Sequence, residues 1–226
     1  ASLGGSGANA RKFLFSPDTV AFDSTTDSIL IGSGDREHPF DTTIANRYYM
    51  IKDSHGMTDL PGTVATESDL CNLTANNIQG TDTVAAQADK DCLATSKGWF
   101  IQLGTGEKTV TGATTLGGTT IFATNTPASV STPGTCTGSL GLALIYAVDF
   151  KNATATIYSN IVDGVAVAAR ATERTGGGFP PTAIPFSTQI GDKFYEGAIT
   201  GTQIIQPPSS PVGQRYRVFW NLSVDN

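Results

Sequence analysis

The densest group of chemically capable side chains is a turn. Gly32-Ser33-Gly34-Asp35-Arg36-Glu37-His38-Pro39 places two carboxylates, a guanidinium and an imidazole on four successive residues. Such a set could bind a metal or assist hydrolysis. It could equally be structural, with Gly32 and Gly34 in conformations closed to other residues and Arg36 pairing with carboxylates or carbonyls of a neighbouring element. The structural reading is preferred, and His38 is then expected to satisfy a buried backbone group. The chain has two histidines, His38 and His55, and neither has a Cys or Glu at zinc-ligand spacing. No G-x-S-x-G elbow occurs, so acyl transfer has no motif. Gly104-Thr105-Gly106-Glu107-Lys108-Thr109 resembles a phosphate loop only superficially. Glu107 separates Gly from Lys and the first Gly of that motif is missing, so a turn between strands is expected. No pair of acids is singled out for glycoside cleavage.

Three cysteines remain. Cys71 and Cys92 flank a polar stretch without an aromatic residue. A disulfide closing it would stabilise by roughly 3 kcal/mol in the chain-entropy model and would imply an oxidising compartment. The alternative is two free thiols exposed to oxidation. Cys136 is left over, either buried or bonded outside the chain.

These residues need a frame. The chain has 226 residues, 39% hydrophobic and 15% charged, with 25 glycines and a net charge of −6. Short runs rich in β-branched and aromatic residues recur between Gly, Asp, Asn and Pro. They include RYYMIK (47–52), GWFIQL (98–103), TTIFAT (119–124), LALIYAVDF (142–150) and residues 216–222. The expected class is all-β, with short antiparallel strands and long irregular loops. Residues 1–10 read as a flexible lead-in to one domain over 11–226, and 84–94 as one short helix. GGGFPPTAIP (176–185) reads as an irregular connection. Tyr48, Tyr49, Trp99 and Phe100 could form an aromatic binding platform, but alternation is preferred, with one residue of each pair packed between sheets and the other facing solvent or the next blade. GWFIQL and TTIFAT read as consecutive strands of one sheet, the second entered through Gly117-Gly118. GSGDREHP then RYYMIKD is echoed by GSLG (138–141) then LIYAVDF, which suggests a repeat. No run of Lys or Arg offers a nucleic-acid surface, and no apolar stretch reaches bilayer length. The first residues hold neither Met nor a signal peptide, so the start says nothing about export.

Four pieces in order resemble the type IV pilus assembly and tip-adhesin family PilC/PilY, in the later part of its C-terminal β-propeller. The first runs from Ile29 through GSGDREHP to Asn46-Arg47-Tyr48-Tyr49 and Asp53. The second is Lys97-Gly98-Trp99-Phe100-Ile101-Gln102-Leu103 with Gly106-Glu107-Lys108. The third is Gly118-Thr119-Thr120-Ile121-Phe122-Ala123-Thr124 with Pro127. The fourth is Cys136, Gly138, Gly141 and Leu144-Ile145-Tyr146-Ala147-Val148-Asp149. The resemblance covers roughly residues 11 to 155, and more loosely the GGG-FPP segment and Trp220.

It implies part of a modified, seven-bladed propeller with Gly32, Gly34, Asp35, Arg36, His38, Pro39, Trp99, Tyr146 and Asp149 as structural motif residues. It implies a non-enzymatic pilus assembly factor or tip adhesin, exported to the pilus tip or outer surface. Its partners would be the remainder of the propeller or another chain, pilin subunits, and a host or surface ligand. No cofactor is expected in this chain. The family's calcium loop lies upstream of the first piece, and the acidic spots at Asp23–Asp27 and Asp89–Asp91 lack its spacing. Two other classes stay open. One is a propeller-type hydrolase or quinone-dependent dehydrogenase, and the other is a self-assembling fibre subunit that pairs through open sheet edges.

Overall fold

The computed structural model describes residues 2–7, 10–54, 64–128, 140–162, 165–174 and 176–206. His55, Cys136 and the segment 216–222 with Trp220 lie outside the described residues. The described chain is all-β apart from one α-helix and short 3-10 turns.

Three sheets stack in chain order. The first contains β1 (Asp18–Ala21), β2 (Thr26–Gly32), β3 (Arg47–Ser54), β4 (Cys71–Asn72) and β5 (Gly98–Gln102), in the order β1-β2-β3-β5-β4. All its pairs are antiparallel except β4 with β5. The second contains β6 (Lys108–Thr109), β7 (Thr114–Leu116), β8 (Thr119–Thr126), β9 (Leu142–Asp149) and β12 (Ala171–Glu173). Its order is β12-β9-β8-β6, with β7 also paired to β8. A hairpin of β10 (Tyr158–Val162) and β11 (Val165–Ala169) lies between β9 and β12 in sequence. The third sheet is β13 (Ile184–Ile190), β14 (Lys193–Thr200) and β15 (Gln203–Ile205), in chain order. None of these sheets closes on itself among the described residues.

Period-two alternation explains the stacking. Ser28, Leu30 and Gly32 on β2 are buried while their neighbours are half-buried. On β3, Tyr48 and Met50 join Trp99, Ile101, Phe122, Val148 and Phe150 in the core between the first two sheets. The intervening Tyr49 joins Phe100, Leu70 and Leu3 in a second core on the opposite face. The second sheet is buried on both faces: Ile121, Ala123 and Ile145 turn away from the first core towards Ala198 and Ile205 of the third sheet. A sheet covered twice reads as near-continuous apolar runs, as LALIYAV does. Both rings of each aromatic pair are therefore inside, on opposite faces of the first sheet.

Two expectations need correction. GWFIQL is β5 of the first sheet and TTIFAT is β8 of the second, so they are not consecutive strands of one sheet. The chain leaves the first sheet after β5, and Gly117-Gly118 turns β7 into β8 within the second. The echo between RYYMIKD and LIYAVDF has a structural counterpart: β3 and β9 each follow a hairpin partner, β2 and β8, at the centre of their sheets. The lead-in contributes to the core, since Leu3 is buried and the Ser2 backbone donates to the Ala65 carbonyl.

The polar stretch between the cysteines is an ordered cap. Helix α1 (Thr83–Thr95) starts at Asp82, whose carboxylate accepts from the Val84 and Ala85 N–H groups. It ends where Lys52 Nζ donates to the Leu93 and Ser96 carbonyls. A Cys71–Cys92 disulfide ties the helix to β4. The Gln79 side chain makes reciprocal bonds with the Ala155 backbone at 2.9 and 2.6 Å, fastening the cap to the second sheet.

Candidate functional site: a polar junction between the first two sheets

The turn after β2 meets β6. Thr109 N donates to the Ser33 carbonyl at 3.1 Å, and Ser33 N donates to the Arg47 carbonyl at 2.8 Å. Ser33 Oγ lies 3.2 Å from Asn46 Oδ1 and accepts from Arg47 N. Fully buried Asn46 donates to the Glu107 carbonyl at 2.9 Å. The glycines allow this approach. A β-carbon at Gly32 would lie 2.3 Å from Thr109 Oγ1, and one at Gly34 would lie 2.6 Å from the Thr109 carbonyl oxygen. Neither residue has a positive φ, so close contact rather than backbone conformation accounts for them.

Glu107 and Lys108 anchor the centre, and both are buried. One Glu107 oxygen accepts from Thr124 Oγ1 at 2.5 Å and from Tyr146 Oη at 2.9 Å; the other accepts from Gly104 N at 2.7 Å. Burial, and then the negative charge of Glu107, push the Tyr146 phenol well above its ordinary pKa. Lys108 Nζ donates to the carbonyls of Pro39 and Gly106 at 3.0 and 3.1 Å, and to that of Asp41. Burial lowers its pKa. The lysine thus does what Arg36 was expected to do. The Arg36 guanidinium instead lies 5.2 Å from the centroid of the Phe179 ring, linking the turn to the connection before β13. The phosphate-loop lookalike is a turn leading into β6, with its acid and its cation both turned inward.

Around this junction, Asp35 accepts from the backbone N–H groups of Glu37 and His38 and from Lys12 Nζ at 2.7 Å. The Lys12 bond is the main reason its carboxyl is held well below the usual range. His38 Nδ1 is 2.9 Å from Asp35 Oδ2, and the His38 side chain is 67% exposed. The expectation that it satisfies a buried backbone group is therefore wrong: in this short turn the nearest carboxylate captures the ring outside the core. Asp35, Glu37 and His38 bring one ligand atom each within 4.8 Å of one another. Lys12 Nζ bonds both carboxylates, at 2.7 and 3.3 Å, so an ammonium already serves as their counter-charge. Lys12, Asp35, Asp41, Ile44, Asn46 and Lys108 line most of a cavity of about 250 Å³. Among the described residues no Ser, Thr or Cys is hydrogen-bonded to His38.

Trp99 and Asp149 lie apart from the junction, while Tyr146 reaches it through its hydroxyl. Trp99 is fully buried and its Nε1 donates to the Phe150 carbonyl at 3.0 Å. The Tyr146 ring stacks on Phe122, with centroids 4.6 Å apart. Asp149 accepts from the Lys151 and Asn152 N–H groups and shapes the turn after β9. Asn72 and Asn152, which head N-x-T triplets, each accept from the Thr two residues on, through backbone and hydroxyl. A second polar knot covers the outer face of the first sheet. Arg11 and Tyr49 donate to Glu67 at 2.8 and 2.6 Å, and Arg47 pairs with the same carboxylate. Burial alone would raise the Glu67 pKa, but these donors hold it below its ordinary value. Sequence reasoning named Asn46 and Glu107 within the family-like pieces without giving either a role, and it did not single out Glu67. Acids and amides in a chain with only 15% charged residues were the available signal.

No family model matches the chain, and no curated protein matches it. Among solved structures, the fold matches the crystal structure of the Pseudomonas aeruginosa PilY1 C-terminal domain, with a TM-score of 0.59 and 14% identity. The match covers 89% of this chain and 46% of that one, so the chain spans about half the length of the solved domain. The chain has a PilY1-like fold.

Proposed function

We propose that this chain is a non-enzymatic, exported scaffold of a type IV pilus system, serving in pilus assembly or in adhesion at the fibre tip. The observation that carries this reading is the fold shared with the PilY1 domain over 89% of the chain. It is supported by the PilC/PilY-like pieces, which occupy β2, β3, β5, β8, β9 and the turns joining the first two sheets. In this reading the three stacked sheets are successive blades of a modified, seven-bladed propeller, and any calcium held by the whole domain is held outside these residues. The polar side chains of the junction are taken up in holding sheets together, which suits a rigid support better than a catalytic centre. The disulfide suits an oxidising compartment, and no helix among the described residues is long and apolar enough to cross a membrane.

The contact surfaces in this reading are the solvent face of α1, where Val84 is 79% exposed, and the connection before β13, where Phe179 stands beside Arg36. Their partners would be pilin subunits and a surface or host ligand. Removing residues 72–91 whole would take out the buried Leu73 and most of α1 and would leave Cys71 and Cys92 adjacent in sequence, so point changes are the sharper tool. Val84→Glu and Phe179→Ser, introduced in the source bacterium, should leave the melting temperature unchanged and reduce surface binding or pilus number, read by adhesion assay and electron microscopy. Unchanged pili and unchanged adhesion in a strain lacking the whole chain would overturn the proposal. So would turnover of glycosides, esters or alcohols by the purified protein.

A further inference from the structure

Arg170 is a partly buried cation without an acid to answer it. It stands between β11 and β12, and burial pushes its pKa down to about 10. Its Nε donates to the Ala153 carbonyl at 2.6 Å and its Nη1 to the Thr74 carbonyl at 3.0 Å. A guanidinium has five N–H donors, so three have no partner among the described residues. Arg170 joins no ion pair among those residues, and Asp89 of α1 acts on it only from beyond bonding distance. Elsewhere Arg11 and Arg47 share Glu67, Lys12 has Asp35, and Lys108 spends its three donors on three carbonyls. Arg170 also lines a cavity of about 370 Å³ at the edges of the first two sheets. Thr74, Ile101 and Gln102 form one side of it, and residues 167–171, running from β11 into β12, form the other. That volume suits a small ligand.

The walls define the ligand. Apart from Arg170, residues 167–171 are Val and Ala, and Ile101 lines the same cavity. This admits small apolar groups beside one negative charge. Arg170 is the only Lys or Arg on the wall among the described residues, which suits a single carboxylate and not a phosphate chain or other polyanion. The wall is also backbone. β11 pairs with β10 alone, and β12 is the outermost strand of the second sheet, so among the described residues neither has a strand on its other edge. An open edge offers main-chain donors and acceptors to an extended chain. We propose that this cavity binds the C-terminal end of an extended polypeptide. The terminal carboxylate takes the unspent donors of Arg170, small side chains lie against Ile101 and Val167, and the peptide backbone pairs with the open strand edge. The site is separate from the α1 and Phe179 surfaces and rests on this geometry alone, so it and the pilus reading can fail independently.

Titration of the nitrogen-15-labelled chain, followed by amide chemical shifts, tests it. The probes are N-acetylated tripeptides of Ala and Val with a free C-terminal carboxylate, the same peptides amidated at that end, and acetate. The free-acid peptides should give saturable shifts in residues 167–171 and in Thr74 and Gln102. Amidation should weaken binding by about tenfold or more, since it removes the charge that Arg170 answers. Arg170 also holds the Ala153 and Thr74 carbonyls, so Arg170→Gln may lose the site by losing structure. Val167→Glu is the second variant. Its position is 46% exposed, so the melting temperature should hold, while a carboxylate at the cavity repels the ligand and weakens free-acid binding by about tenfold. Equal affinity for acid and amide overturns the proposal, as does the absence of saturable shifts at millimolar peptide. Full binding by Val167→Glu also overturns it. Acetate binding as tightly as the peptides would reduce the cavity to a small-anion site and overturn the peptide assignment.

Discussion

Glu107 shows how much a single side chain can carry here. It is buried, and three donors converge on it from the turn before β6, from β8 and from β9. Glu107→Ala would leave the Tyr146 and Thr124 hydroxyls without their acceptor. We expect a loss of about 3 kcal/mol or more from two unsatisfied buried groups and the cavity together, measured by urea unfolding. Gly32→Ala tests the close approach of the first two sheets. Its new methyl would meet Thr109 from 2.3 Å, and a cost of about 1–3 kcal/mol is expected. Tyr48 gives the opposite case. Its ring stacks on Phe122 at 3.6 Å, while its hydroxyl is buried with no hydrogen-bond partner among the described residues. Tyr48→Phe should be neutral or stabilising by about 1 kcal/mol, and a clear destabilisation would reveal an unseen partner. Of these three residues, sequence pointed to Gly32 through its motif and to Tyr48 through alternation. It named Glu107 only as part of a turn between strands, because nothing beside Gly-Thr-Gly shows that β8 and β9 close over it.

At the scale of elements, local chemistry predicted what local sequence controls. The strands of β3, β8 and β9 follow their apolar runs, and the helix expected over 84–94 spans Thr83–Thr95. The pairing of β5 with β3 rather than β8 was hidden, since it depends on contacts about fifty residues apart. Arg36 was hidden for a related reason, since Phe179 arrives from elsewhere in the chain, whereas His38 turned to Asp35 within its own turn. The cap between the cysteines was expected to be tied by the Cys71–Cys92 bond, and it is. Replacing both cysteines by Ser should lower stability by about 3 kcal/mol, with the far-ultraviolet spectrum of the sheets retained. The turns also set the response to acid. The carboxyls of Asp35, Asp41, Glu67 and Asp69 are all held below their ordinary values, by the donors around each of them. A carboxyl whose folded pKa is depressed stabilises the fold above its unfolded pKa, and that contribution fades as pH falls through the folded value. The melting temperature should therefore be flat near neutrality and fall below about pH 4. Asp35→Asn, which removes the strongest of these shifts, should make the fall shallower.

Among the described residues three sheets stack with two cores between them and a third core beneath the lead-in, and β10 and β11 form a separate hairpin. The all-β class and the PilY1-like fold were both legible from strand signals and motif order. The number of sheets was not, because strand signals do not say which strands share a sheet. Nor was the exposure of Ile184 and Ile204, which look like core residues in sequence and are exposed only because of where β13 and β15 stand. A stack capped at one end and open at the other suits a part of a larger assembly, and the proposed pilus role makes that assembly a cell-surface one. The most direct measurement of that role is the location of the chain in its source bacterium. Pili sheared from the cells, purified and probed with an antibody to this chain should contain it, with immunogold label at fibre ends or at the cell surface where fibres emerge. Absence from the sheared fraction, together with label confined to the cell interior, would contradict the account.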